Sequence, residues 1–237
     1  MNLYNLPCLA NFMKKTTQDF KSLDRHYRAN LINSIIGIKQ ASLIGTYGKS
    51  SVSNLALFSS AVHLGSNPPL VAIFSRPAGS SPKQTMENII LQKYYTINHV
   101  NESIVSRAHS CSFNFPANIS EFDACKLTEE KVNGFNAPFV KECSISLGIC
   151  YRRHFPLEEN GVFMIIGSIE TLFVNDEIVQ DNGEVDLSSS YSVGVAGNNT
   201  YYKLDKHSSH AYLKKSQKNT LTDIVSAELE KNTSNAK

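Results

Sequence analysis

The sequence predicts a mainly β fold, an antiparallel barrel with peripheral helices. Three observations carry this expectation. From about residue 42, short apolar segments follow one another across Gly, Pro, Asn and Ser turn signals, as in "ASLIGT", "VSNLALFSSAVHLG" and "PPLVAIFS". Two long strand-like runs, "FVKECSISLGICYRRHF" and "GVFMIIGSIETLFVN", stand in succession in the second half. Helical patterns are too few to alternate with every strand, as a parallel sheet would require. Closure into a barrel would also hide the sheet edges.

The elements can be justified in order. Residues 16 to 37 place Phe20, Leu23, Tyr27, Leu31 and Ile35 three and four residues apart behind a Thr16-x-x-Asp19 start, which predicts one amphipathic helix closed by Gly37 and packed across a sheet. The three apolar segments above follow as strands. A short helix is expected to begin near "SPKQTMENIILQ", with Ser81 as N-cap, Pro82 at the first helical position and Gln84 three residues after the cap. "YYTINHV" reads as a strand and "NESIVSRAHS" as a short helix. Residues 110 to 136 hold Pro, Asn and Gly among aromatics and read as a lid-like excursion with a helical turn inside. The two long strands come next, then a short one at "YSVGVAG". This puts a single domain over 1–202 and a polar tail over 203–237.

Composition narrows the function. With 237 residues, 41% hydrophobic and 19% charged, the chain has the make-up of a globular protein with one core. No apolar run reaches the length of a bilayer span, and the N-terminus lacks the pattern of a secretory signal, so no membrane partner and a cytoplasmic location are expected. Five scattered cysteines without a C-x-x-C pair argue for reduced thiols and against a zinc site. A net charge of +2 gives no footprint for nucleic acid, and a small molecule is the expected partner. The seven histidines show no metal-binding spacing, and neither G-x-S-x-G nor G-x-G-x-x-G occurs. His63 reads as a core histidine; His99 and His109 are open to site or structural roles.

One segment invites chemistry. "SRPAGSSPKQTMENI" leaves an apolar strand through Arg76, crosses a Pro/Gly/Ser loop and starts a helix on Lys83, Gln84 and Thr85. A helix start offers free amides and the positive end of a dipole, and two cations stand beside it, so an anion fits. Taken alone, the segment reads rather as a capped surface helix with ordinary charges. The preceding strands add Thr46, Asn54, Ser59 and Ser60, polar residues inside apolar segments that need hydrogen-bond partners.

In order, Thr46, Gly48, Asn54-Leu55-Ala56-Leu57-Phe58-Ser59, Pro68-Pro69, Arg76, Lys83-Gln84-Thr85, Asn88-Ile89 and Asn98 resemble the pattern of the flavin reductase-like, FMN-binding split-barrel family. "SEFDACKLT", "APFVKECSISLGI" and "MIIGSIETLFV" resemble its later landmarks, and the likeness covers about residues 28 to 202. The resemblance implies a six-stranded antiparallel Greek-key split barrel, assembled as a homodimer with FMN near the subunit interface. It implies flavin ring and ribityl contacts at Thr46, Asn54, Leu55, Ala56, Phe58, Ser59 and Ser60, and phosphate contacts at Arg76, Lys83, Thr85 and Asn88.

The implied activity is that of an FMN-dependent oxidoreductase passing electrons to a small-molecule acceptor, with NADH or NADPH as candidate donor and no catalytic acid or base assigned. The alternative is an FMN-binding electron carrier without a nicotinamide site. Two departures bear on this choice: Val162 stands where many flavin reductases carry a histidine, and Ser168 where they carry a glutamate. A barrel that holds another planar ligand, such as haem, is a third reading. Tyr201 and Tyr202 are candidates either for closing a partner's pocket or for plain packing.

Overall fold

Thr16 and Asp19 start the first helix reciprocally. The Asp19 carboxylate accepts the Thr16 amide at 2.7 Å, and the Thr16 hydroxyl accepts the Asp19 amide at 3.5 Å. The computed structural model in which this is seen describes residues 13–77 and 84–210. Helix α1 (Thr17–Ser22) stops at once, because Leu23 is extended and the Asp24 carboxylate takes the amides of His26 and Tyr27 to cap a second helix, α2 (Arg25–Ile35). The single helix expected over 16–37 is therefore two. Gly37 closes α2 in the left-handed region, at φ +92°. The expected apolar face is not buried either: Tyr27 is 50% and Ile35 70% exposed, and α2 leans on the sheet chiefly near strand β11, described below.

The strands follow as β1 (Lys39–Gln40), β2 (Ser42–Tyr47), β3 (Ser53–Phe58), β4 (Val62–Ser66) and β5 (Pro69–Ser75). Helix α3 (Gln84–Gln92) precedes β6 (Tyr94–His99); a 3₁₀ turn leads into α4 (Val105–Ser110), and α5 (Glu121–Ala124) lies within the excursion. Then come β7 (Glu129–Glu130), β8 (Phe139–Val140), the long pair β9 (Ile145–Pro156) and β10 (Phe163–Val174), and finally β11 (Val193–Ala196) and β12 (Thr200–Lys203). The chain divides at Asp205, and every element named here lies before that point. Residues Lys203 and Tyr202, assigned to the tail boundary by composition, pair in β12 with Val193 and Gly194.

Seven strands form the main antiparallel sheet, in the order β3-β2-β6-β9-β10-β5-β4, one more than the six expected. Its two outermost strands, β3 and β4, are consecutive in the chain and joined by residues 59–61, so the sheet must curl until its ends meet. Ser60 fastens this seam: its hydroxyl donates to the Phe74 carbonyl at 3.0 Å and accepts the Phe74 amide at 3.2 Å. Strand β4 is bulged between His63 and Gly65 and is exposed along most of its length. His63 thus faces water, not the core; its apolar neighbours belong to an exposed strand.

Two cores result. Ile44, Val71, Ile73, Ile89, Tyr95, Ile97, Ile149 and Ile165 fill the barrel. Leu43, Leu55, Val100, Ile104, Phe122, Leu127, Val140 and Val193 fill the space between the barrel wall and the α4–α5 layer. Strand β2 contributes Ile44 to one and Leu43 to the other, which is why it reads as a continuous apolar run rather than an alternation. The excursion contributes to this second core, since Phe122, Cys125 and Leu127 are buried while the stretch 112–119 stays largely at the surface. Cys111, Cys125, Cys143 and Cys150 are free thiols. Among the described residues no helix is long and apolar enough to cross a membrane.

At Gly45, in the middle of β2, an added Cβ would collide with the Pro138 carbonyl and the Thr96 hydroxyl. Gly45→Ala should therefore destabilise the fold by about 1–3 kcal/mol, read as a lower denaturant midpoint with an unchanged slope.

Candidate functional site

Strands β2 and β3 form a hairpin in register, with Thr46 opposite Asn54, and α3 lies across it. This brings four of the sequence-predicted residues to one point. The Thr46 hydroxyl accepts the Asn88 side-chain amide at 3.1 Å and the Asn54 side-chain amide at 3.3 Å. Asn54 also donates to the Thr85 hydroxyl at 3.4 Å. Thr46 is fully buried, and Asn54 and Asn88 are nearly so. With two donors directed at its lone pairs, the Thr46 oxygen keeps its own proton to donate. Gln92, at the far end of α3, donates to the Gly48 carbonyl at 3.2 Å and ties the helix to the hairpin turn. The result is a helix N-terminus held against a strand pair by polar groups, with the first amides of α3 beside Thr85.

The remaining predicted residues divide. Ala56 and Phe58 are half-buried, with Phe58 packed against the barrel core. Ser59 and Ser60 lie in the seam, and Ser60 is committed to Phe74 as described. Leu55 is fully buried in the outer core. Arg76 is exposed at the end of β5 and donates to Asn198 Oδ1 at 3.3 Å; no described contact joins it to the Thr46 cluster. Lys83, like Ser81 and Pro82, lies outside the described residues. Tyr201 packs on the outer core and shares a 2.9 Å hydrogen bond with His109 Nδ1. Val162 sits in the β9–β10 turn, its amide taken by Asn160 Oδ1 at 3.0 Å and its carbonyl by the Leu157 amide.

Glu121 is a participant that the sequence reading did not single out. Its side chain is buried, and Oε2 accepts the Leu55 amide at 2.9 Å, so α5 closes the outer edge of β3. Burial raises the Glu121 carboxyl above the usual carboxylate range. Only the "SEF" triplet, with Ser120 bonded to Ser53 at 2.8 Å, hinted that this turn docks on β3. Three buried side-chain groups lack hydrogen-bond partners among the described residues: Tyr95 Oη, Ser42 Oγ and His99 Nδ1, the last two directly opposite each other on β2 and β6. Burial pushes the His99 imidazole down to about 4 from 6.5.

Two outcomes follow. Glu121→Ala strands the Leu55 amide and should cost about 1–3 kcal/mol of stability, whereas Glu121→Gln, which keeps an acceptor, should lose markedly less in the same denaturant titration. His99 is held neutral in the fold, so its contribution is present above pH 6.5 and is lost as pH falls through that value towards about 4. A shift of this size corresponds to at most about 3 kcal/mol, and His99→Phe should flatten the fall in melting temperature over that window.

Comparison with known proteins places this fold. Residues 38–191 match the model of the flavin reductase like domain. A split-barrel protein of Shewanella frigidimarina NCIMB 400, described as a candidate flavin reductase, is 39% identical, with a TM-score of 0.81 over 85% of this chain and 100% of that one. Nitrilotriacetate monooxygenase component B from Bacillus cereus superposes with a TM-score of 0.75 at 22% identity, covering 84% of this chain and 100% of that one. Flavoredoxin of Desulfovibrio vulgaris (Miyazaki F) does so with a TM-score of 0.65 at 21% identity, covering 84% and 98%. These last two share the fold. The chain belongs to the flavin reductase-like domain family and is, by that membership, a flavin-related oxidoreductase.

Proposed function

We propose that the protein is an FMN-dependent oxidoreductase that passes electrons through bound flavin to a small acceptor, working as a cytoplasmic homodimer. The observation that carries this reading is the convergence of Thr46, Asn54, Thr85 and Asn88, which come from two strands and a helix and form one hydrogen-bonded cluster. A phosphate suits the free amides and positive end of α3, with Thr85 and Asn88 beside it and Arg76 and Lys83 as cations from the flanking segment. A planar ring suits the half-buried apolar surface of Ala56 and Phe58, with the Ser59 hydroxyl as a polar contact. The residues present therefore fit a flavin mononucleotide.

Bound flavin would supply the reversible two-electron chemistry, so the protein's part is to hold, orient and partly bury it. The exposed apolar side chains of Tyr27, Ile35 and Ile36 on and after α2, and of Val62 and Leu64 on β4, supply surface that a second copy would cover.

A second reading is an electron carrier that lacks its own nicotinamide site. Val162 favours it: at the position where a histidine would meet the nicotinamide, the β9–β10 turn offers only an aliphatic side chain with its backbone groups already engaged.

The purified protein should show a flavin absorbance spectrum that bleaches on reduction; a colourless protein that takes up no added FMN sinks the proposal. Thr46→Val, which strands the Asn54 and Asn88 amides, should weaken FMN binding at least about tenfold, while Thr46→Ser keeps affinity near wild type. Steady oxidation of NADH or NADPH with added FMN selects the enzyme, and its absence in a protein that binds FMN selects the carrier.

A further inference from the structure

Cys111 ends α4 and Cys125 ends α5, and both side chains are buried in the outer core, at 4% and 6% exposure. One face of α4 brings them together. Arg107 and Cys111 stand one helical turn apart on that face. Arg107 Nη1 donates to the Lys126 carbonyl at 2.8 Å, and the Cys111 thiol meets that of Cys125, the residue before Lys126, in a side-chain hydrogen bond. The Cys150 thiol, by contrast, turns to the Tyr151 carbonyl at 3.8 Å. Two thiols in contact meet the first requirement of a disulfide, that the sulfurs can reach one another.

The pair is buried but shallow. Ser112 and Phe113 after Cys111, and Ala124 and Lys126 on either side of Cys125, are exposed, so the sulfurs lie just beneath the surface. A molecule as small as hydrogen peroxide can reach them where a bulky disulfide such as oxidised glutathione cannot. Burial raises both thiols above their ordinary range, and the bond between them favours the thiolate on Cys125 over that on Cys111. Cys125 is therefore the sulfur that reacts first.

We propose that Cys111 and Cys125 are a redox-active pair, closed by hydrogen peroxide to a disulfide that locks residues 112–124 against β3. The Cys125 thiolate attacks one peroxide oxygen; the S–O bond forms as the O–O bond breaks, and the departing hydroxide takes up a proton and leaves as water. The Cys111 sulfur then attacks the sulfenic sulfur; the S–S bond forms, the S–O bond breaks and a second water leaves with the Cys111 proton. Two electrons pass from two thiols to one peroxide. The segment tied down in this way includes Phe115, whose carbonyl accepts the Gln84 side-chain amide of α3 at 2.9 Å, and Glu121, which accepts the Leu55 amide of β3. The oxidation state of one pair is thereby felt at both flanks of the β2–β3 hairpin. None of this draws on the flavin reading.

The test exposes the full chain to hydrogen peroxide, alkylates the remaining thiols and maps tryptic peptides. Residues 108–125 contain no Lys or Arg, so the peptide ending at Lys126 carries both cysteines. It should take up no alkyl group and be lighter by two hydrogen atoms than its reduced form, and after cleavage at Glu121 its halves should stay joined until dithiothreitol is added. Oxidation should raise the melting temperature by about 5–10 °C and slow exchange of the Leu55 amide, both reversibly, and Cys125→Ser should abolish the gain. Two alkylated thiols in that peptide, a sulfonate on either, or a bond from either to another cysteine overturns the proposal. So does a Cys111–Cys125 disulfide that leaves melting and Leu55 exchange unchanged. The mapping uses the wild-type protein, so it decides the matter even where Cys125→Ser folds poorly.

Discussion

A single hydroxyl organises the candidate site. Thr46 accepts two side-chain amides at once, one from the opposite strand and one from the helix that follows two strands later. Buried amide groups are costly to leave unpaired, so this arrangement fixes the position of α3 on the β2–β3 hairpin. Everything the site offers to an anion depends on that position, because the free amides of a helix start are useful only when held in place. Glu121 does similar service from the other side, closing the edge of β3 through the Leu55 amide. The hairpin is thus gripped on both flanks, and its polar residues are structural and ligand-directed at once.

The two cores explain how a small hairpin can be so firmly placed. Strand β2 feeds Ile44 into the barrel and Leu43 into the outer layer, so any shift of register would remove apolar surface from both. The pinning of Gly45 between Pro138 and Thr96 leaves no slack in the same strand. By contrast, β4 and α2 present apolar side chains to solvent. Rigidity and exposure are therefore segregated, the first around Thr46 and the second along surfaces suited to association.

Much of this was legible in the sequence, because strands separated by turn residues and a capped helix start are local signals. The strand identities of β2, β3, β5, β6, β9 and β10 needed only the spacing of apolar residues. Other features depend on distant chain and could not be read locally. Leu23 follows the helical spacing, yet the carboxylate of Asp24 breaks the helix there by offering its amides a better partner. His63 stands among apolar residues, but only the wrapping of the sheet decides that β4 faces water. Strand β12 exists because β11 offers an edge to pair with, and nothing in "TYYK" announces that edge. Glu121 was visible as part of a resemblance, while its burial under β3 required three dimensions.

The seam of the barrel carries a consequence for dynamics. Strands β3 and β4 are the two ends of the sheet, yet only residues 59–61 separate them, and Ser60 is stitched to β5. The hairpin that bears Asn54 therefore cannot swing out as a flap while the rest of the barrel stays shut. Opening it means parting the sheet along its length, so its amides should exchange with solvent through the same event that unfolds the domain. Occupancy of such a site would be felt as protection of the whole barrel rather than as the quieting of a loop.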